Sequence, residues 1–387
     1  MRTELHFRLH LCFTIMFLLS VCPVFLVAQQ GATEHNIDLR AIVRLPIQLK
    51  ESSGIVVENP DKFWTHNDAG NTNHLFAVDT SGNIVKALKI SNVQNIDWED
   101  LTIDADRNIY INDAGNNDSD REDLAIHIIP DPSQHNDDSI EAQSINFVFE
   151  DQTAFPPPNS NRNFDIEAIV WANDTLNLFT KNRSNPFNGF SKMYRLPAQP
   201  GNQIARLTDS IYLGSTSAEA RVTAAAMNPE NSVLALLTAN KIVEFRNFSG
   251  TNFFSGQSTV FRFNTQPGQI EAIDFVRDNV YYLTTEGSSN QAGFLYEADL
   301  SGLTHIEKTK ELQQKFSTKI NGEVIYLTLD GKETPFEFVQ LFSLSGKELR
   351  QFNDVQSIHL RGIPSGILIV KANYRGISYS QIVQFLR

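Results

Sequence analysis

Cysteine is almost missing from this chain. Cys12 and Cys22 are the only two in 387 residues, and both lie near the start. Arg2 and Arg8 are followed by a mostly apolar run over 9–27 and by Ala28, a small residue suited to cleavage. Residues 1–28 therefore read as a secretory signal. A membrane anchor is the alternative; the short apolar core, and Gln29 and Gln30 in place of stop-transfer charges, argue against it. Once the signal is removed no thiol remains, so no disulfide can form. A secreted chain without disulfides relies on a sizeable core, which suits a large β-fold better than a small stapled one.

Other absences narrow the reading further. No later run is apolar for long enough to span a bilayer, so no transmembrane segment is expected after signal removal. Basic residues are in deficit: Lys and Arg number 32 against 45 Asp and Glu, a formal charge of -13. Loss of two Arg and one Glu with the signal moves this to -14. That balance argues against nucleic acid as a partner. It is compatible with divalent cations or with simple solubility. Helical periodicity is lacking before Thr304. No Gly-x-Ser-x-Gly, Walker loop or His-Glu-x-x-His is present, so no familiar nucleophile, nucleotide or zinc signature points to a reaction.

What the chain does contain is a repeat. Asn67-Asp68-Ala69-Gly70-Asn71 returns as Asn112-Asp113-Ala114-Gly115-Asn116, 45 residues later. Strand-like segments before these turns have looser copies at 176–180, 233–238 and 280–284. A third strand is expected at 74–79, 124–129, 192–196, 241–245 and 293–298. A fourth is expected at 84–90, 145–149, 210–213 and 259–263. Four strands per unit at this period are the mark of propeller blades. The expectation is an all-β, five-bladed β-propeller over 36–300, or six blades if one is degenerate. An open β-sandwich array is the alternative. The fifth unit lacks its outer strand, and 38–45 is free to supply it and close the ring, which protects an exposed edge.

Each unit opens on a short strand with one oxygen-bearing side chain at the same place: Ser53, Glu99, Glu167, Thr223 and Glu271. In a propeller the innermost strands line the channel, so these five are expected to form a ring. Three carboxylates facing one another are costly unless paired. A hard cation held by oxygens relieves that cost, and Ca²⁺ tolerates irregular oxygen cages. Ser53 and Thr223 can equally be small channel residues, and the glutamates can bond amides or water. The Ser, Glu, Glu, Thr, Glu order resembles the axial calcium site of the apyrase-like nucleotidases, a likeness confined to these five positions.

Around the same mouth come ligand-binding candidates: His66, Asn67, Asp68, Asp97, Asn112, Asp113, Arg121, Asp165, Lys181, Arg183 and Glu286. Asp97 and Asp165 precede two ring glutamates by two residues, so strand alternation aims them the same way. Asn-Asp-Ala-Gly-Asn is also plain turn chemistry, with Gly for positive φ. Arg121, Lys181 and Arg183 beside a metal could hold a phosphate or carboxylate. The segments 64–68, 97–100, 112–117 and 128–132, together with Arg121, resemble a widespread secreted bacterial propeller family near the phytase-like and NHL-like propellers. That likeness implies the fold and no reaction.

The pattern changes near Leu300. Residues 301–315 read as a linker, and 316–387 as a small Ig-like β-sandwich with strand signals at 339–344, 358–371 and 381–385. Leu344-Ser345-Gly346-Lys347 after a strand, Gly362-Ile363-Pro364-Ser365-Gly366 before an apolar strand, and a strand at the extreme C-terminus are present. They resemble the type A C-terminal sorting domain of the Bacteroidetes type IX secretion system. The resemblance implies export through that machinery and residence outside the cell or on its outer surface. The sequence thus leads to a propeller that binds an extracellular ligand at its mouth, with an axial Ca²⁺. A calcium-dependent hydrolase of phosphate esters and a scaffold for surface assembly are the other readings.

Overall fold

The computed structural model describes residues 33–288, 290–303, 316–343, 347–374 and 377–385. The signal, 304–315 of the expected linker and the 344–346 turn lie outside them. The described chain is nearly all β, in a propeller-like arrangement of four-stranded antiparallel units.

The first unit comprises Ser52–Asn59, Lys62–Asn67, His74–Asp79 and Ile84–Ile90. The second comprises Leu101–Ile103, Ile109–Asp113, Ala125–Ile129 and Gln143–Phe149. The third runs through Ile166–Ala172, Thr175–Thr180, Phe190–Pro197 and Gly201–Tyr212. The fourth has Val222–Met227, Val233–Thr238, Lys241–Arg246 and Gln257–Phe263. The fifth has Ile270–Arg277, Val280–Thr285 and Phe294–Asp299.

The middle strands are buried on both faces because each unit is sandwiched between two others. They read as unbroken apolar runs, such as Val-Leu-Ala-Leu-Leu-Thr in the fourth unit. Outer strands alternate instead, as in Ile84–Ile90. Tight turns carry the residues they require: Asn173 and Asp174, with φ of 52° and 58°, make the two-residue hairpin of the third unit.

The core is divided among the joints between units. Val56, Trp64, Trp98 and Ile111 pack between the first and second. Phe149, Phe164, Ile169 and Tyr194 lie between the second and third. Phe179, Met193, Leu234 and Phe245 fill the third joint, and Ala226, Phe261, Ile273 and Tyr281 the fourth. Ile55, Phe63, Ala272 and Tyr282 join the fifth unit back to the first, so the circuit of cores closes.

Arg40–Arg44 pairs antiparallel with Phe294–Asp299 and completes the fifth unit, as the unpaired N-terminal segment suggests. The edges are covered more fully than the repeat implies. Thr33–Ile37 adds in parallel to Gln257–Phe263, ahead of the expected domain start at residue 36. Ser139–Ile140 adds to the end of Ile84–Ile90. The outer strands of the second and third units pair in parallel, fusing two units into one eight-stranded sheet. The parallel pairing removes two open edges, and the added segments cover the outer strands of the other units, which limits pairing with another chain.

Residues 316–385 form two further sheets of four strands each. One holds Phe316–Asn321, Val324–Leu329, Lys332–Glu333 and Ser357–His359. The other orders Glu348–Val355, Phe336–Ser343, Gly366–Tyr374 and Ile377–Phe385. Their inward residues, among them Phe316, Leu327, Phe336, Leu341, Val370 and Tyr379, share one core.

Candidate functional site

The ring positions share a backbone feature that no single strand reveals. In four units the inner strand carries an extra residue relative to its partner. Glu167 is skipped between Ile166 and Ala168, Thr223 between Val222 and Ala224, and Glu271 between Ile270 and Ala272. In the first unit the shift spans Ser53 and Gly54. In the second, Glu99 N–H donates to the Asn112 carbonyl at 2.8 Å and Asn112 N–H to the Asp100 carbonyl at 3.0 Å, so two residues again face one. A β-bulge turns the extra side chain out of the pleat. Five bulges therefore aim five equivalent side chains away from the inter-unit cores.

Two of the ring glutamates, Glu167 and Glu271, converge on one ammonium. Lys181 Nζ lies 2.8 Å from Glu167 Oε2 and 3.9 Å from Glu271 Oε2. Burial pulls the Lys181 pKa down, but the fields of Glu167, Glu271 and Glu99 outweigh it and hold it raised. Arg183 binds the next layer, with Nε 2.6 Å from Asp165 Oδ2 and Nη2 2.8 Å from Glu167 Oε1. The protein thus supplies two of its own cations, where the sequence suggests a bound metal, backbone amides or water. Thr223 spends its hydroxyl on the Ile270 carbonyl at 3.0 Å, which is a strand-to-strand link. Ser53 is buried on the first inner strand.

On the solvent side sit Asp68 and Asp97, both partly exposed, with buried Glu99 below. One oxygen from each lies within 4.8 Å of the others. Glu99, Asp165 and Glu167 form a second such group. Burial, aided by Asp68 and Asp165, pushes the Asp97 carboxyl up to about 6. Burial and Glu167 push Asp165 to about 7 against the pull of Arg183. Glu271 rises to about 7, from burial that exceeds the effect of Lys181. Glu286 also rises to about 7, through burial and then Asp68 and Glu51. Glu99 is raised well above the usual range by burial, Glu167 and Asp68.

Several expected mouth residues are engaged in holding turns. Asn67 accepts from the Glu51 amide and donates to the Gln48 carbonyl. Asn112 donates to the Ile166 carbonyl at 2.8 Å and ties the second unit to the third. Asp113 accepts from the Asp97 amide and from Arg121 Nη2 at 3.2 Å, and its other oxygen faces His127 Nε2 at 3.3 Å. Arg121 is committed to Asp113, Asp123 and the Gly115 carbonyl. His66 is fully buried, edge-on to Trp98 at 5.4 Å, and burial lowers its pKa to about 4. It is a neutral packing residue.

The two Asn-Asp-Ala-Gly-Asn copies use their glycines differently. Gly70 has φ of 70° and open space around it, as turn chemistry requires. Gly115 is needed for close approach instead. A Cβ there would lie 2.5 Å from Asp97 Oδ2 and 2.5 Å from Glu99 Oε1.

Two carboxylates escaped the sequence reading. Asp100 is fully buried and accepts amides from Leu101, Ile169 and Ala225 at 2.9–3.0 Å, which bridges three inner strands. Asp274 accepts from Val57 at 2.6 Å and Phe275 at 2.8 Å. The inner strands are terminal in their sheets, with one edge unpaired, and these side chains satisfy amides there. The available signal was an acid inside an apolar strand.

No family model and no curated protein matches this chain. Among solved structures it is similar to the nidogen/laminin complex, at 12% identity and a TM-score of 0.37 over 80% of this chain and 82% of that one. It is also similar to virginiamycin B lyase from Staphylococcus aureus with quinupristin, at 16% identity and a TM-score of 0.33 over 66% and 68% of the two chains. PorZ, a surface component of the type-IX secretion system of Porphyromonas gingivalis, matches at 13% identity and a TM-score of 0.33, over 87% of this chain. The match spans 45% of the PorZ chain, less than half its length.

Proposed function

We propose that this chain is a secreted five-bladed β-propeller that captures an extracellular ligand at the acidic mouth of its channel, with Ca²⁺ among the mouth carboxylates. Residues 316–387 act, on this reading, as an Ig-like sorting domain for type IX export, leaving the protein secreted or on the outer cell surface. The observation that carries the binding function is the division of charge at the mouth. Lys181 and Arg183 neutralise Glu167 and Asp165, whereas Asp68 and Asp97 have no ion pair among the described residues. Unpaired, partly desolvated carboxylates are suited to a cation and the oxygens it recruits.

Calcium-dependent hydrolysis of phosphate esters is less well supported. It needs Lys181 or Arg183 to hold the anion, and both are bound to carboxylates. The test is an array of extracellular polysaccharides, peptides and phosphate esters, probed with and without Ca²⁺. Wild type is compared with Asp97→Asn/Glu286→Gln. Capture lost in the variant, with no turnover by wild type, supports the binding module. Turnover of a phosphate ester that depends on Asp97 overturns it in favour of the hydrolase. Capture unchanged in the variant moves the site elsewhere.

A further inference from the structure

We infer that the rim of the mouth, where the third unit meets the fourth, binds an acidic sugar, a uronate residue of an extracellular polysaccharide, with Arg221 taking its carboxylate and Phe190 and Tyr212 its ring. The inference rests on the mouth being the binding end, and it names the ligand class there.

Lys181 and Arg183 are bound to carboxylates. Arg221, one residue before the inner strand Val222–Met227, has no ion pair among the described residues. Its Nε donates to the Asn182 carbonyl at 3.0 Å, and its two Nη groups have no hydrogen-bond partner among those residues. Arg221 is half-buried. Burial, and then the field of Arg183, lower its pKa, and Asp165 and Glu167 offset this only in part. Those two carboxylates are already bonded to Arg183 and Lys181. A guanidinium short of anionic partners, with its Nη donors open, is suited to a carboxylate.

The aromatic half of the site hangs on the same asparagine. Asn182 is fully buried, and its side-chain amide donates to the Phe190 carbonyl at 2.7 Å. The Asn163 amide donates to that carbonyl at 3.0 Å, and the Phe190 N–H donates to Asn188 Oδ1 at 3.1 Å. The Phe190 backbone is thus fixed from both sides, yet the residue stays 41% exposed. Its ring meets that of Tyr212 edge to face at 5.4 Å, and Tyr212 is 51% exposed. Gly189, with φ of 78°, lets the loop lie flat on this pair, since a Cβ there would meet Tyr212 Cε2 at 2.6 Å. Phe187, in the same loop, has its ring centroid 5.9 Å from Arg221 Cζ.

An exposed ring fixed in place loses little freedom on binding. The C–H face of a sugar packs on it, because weakly positive hydrogens meet the negative aromatic face. A basic fork beside such rings fits a sugar that carries a carboxylate. An acidic peptide offers the carboxylate without the sugar ring and is the weaker fit.

Calorimetric titration of the full chain without its signal, in chelator, tests this. The probes are tetramers of galacturonate and mannuronate, their methyl esters, and a glutamate-rich peptide. Wild type is expected to bind an acid tetramer at least about tenfold more tightly than its ester, the effect of one charge-assisted pair. Arg221→Gln should lose that preference. Phe190→Ala and Tyr212→Ala should each weaken acid and ester alike by about twofold to tenfold. Melting identifies any variant that fails to fold. Arg221→Lys, which keeps the charge and loses the fork, then carries the test with a reduced preference. Wild type that binds no acid tetramer, or binds acid and ester equally, overturns the inference. So does a preference unchanged in Arg221→Gln, or binding of the peptide alone. Array capture that depends on Asp97 and Glu286 but not on Arg221 sinks this inference and leaves the mouth-binding reading. Acid-tetramer binding that depends on Arg221, unchanged in Asp97→Asn/Glu286→Gln, supports the rim and removes the mouth carboxylates from the function.

Discussion

The Val57 amide donates to the Asp274 carboxylate at 2.6 Å, across the joint where the fifth unit meets the first. The same relation holds two joints further round, where the Trp171 amide donates to Thr102 Oγ1 at 3.0 Å. In both cases a side chain three residues past the ring position reaches the amide four residues past the next one. Asp100 does similar work one layer away, taking the Ile169 and Ala225 amides together. The inner ring is held by side chains as well as by packed cores.

Removing such an acceptor leaves buried amides unpaired. Asp100→Ala is expected to cost more than Asp274→Ala, because it strips three amides instead of two. Each orphaned donor costs about 1–3 kcal/mol. Asp274→Asn keeps an acceptor and should cost less than Asp274→Ala. Urea unfolding of the three variants checks the order; equal midpoints for all three would refute it.

Lys181→Met should destabilise strongly, because it leaves Glu167 and Glu271 facing each other without the ammonium. Breaking a buried pair from one side costs about 3–5 kcal/mol. Adding Glu167→Gln removes one of the two facing charges and is expected to restore part of the loss. A double-mutant cycle measures this, and strictly additive effects would show that the two groups are not coupled.

Stability without divalent ions should fall as pH rises from about 4 to about 7. Asp97 titrates near 6 in the folded chain, and Asp165, Glu271, Glu286 and Asp274 near 7. Burial is the leading cause for all five. Unfolded carboxyls release their protons near 4, so across this window the folded state holds more protons. Their deprotonation in the folded state is then an increasing penalty, complete above about 7. Calorimetric melting in chelator at pH 5 and pH 7.5 should give the higher midpoint at pH 5. A midpoint that rises with pH would contradict it.

Deletion of 33–44 should abolish soluble monomer, since it exposes the outer strands of both the fourth and fifth units. By contrast, Arg40→Ala/Glu297→Ala removes only a surface ion pair and should cost no more than about 1 kcal/mol. Size-exclusion profiles and melting midpoints separate the two outcomes.

Periodicity is a property of the chain, and it was enough to locate the strand units and the closing segment 38–45. Binary pattern and turn residues recur wherever the same unit is built, so they can be read without coordinates. The bulges of the inner strands could not be read, because a bulge exists only in the pairing of two strands. Nor could the sequence tell the two glycines of the repeated turn apart, since Gly115 is required by carboxylates that approach it from another segment. Lys181 and Arg183 looked like free cations for an anionic ligand. Only the tertiary structure brings them against Glu167 and Asp165, because the excess acid of the ring is the nearest negative field and lies within side-chain reach. Composition and repeat determined what kind of ring this chain builds; packing across the ring decided which of its charges are already paired.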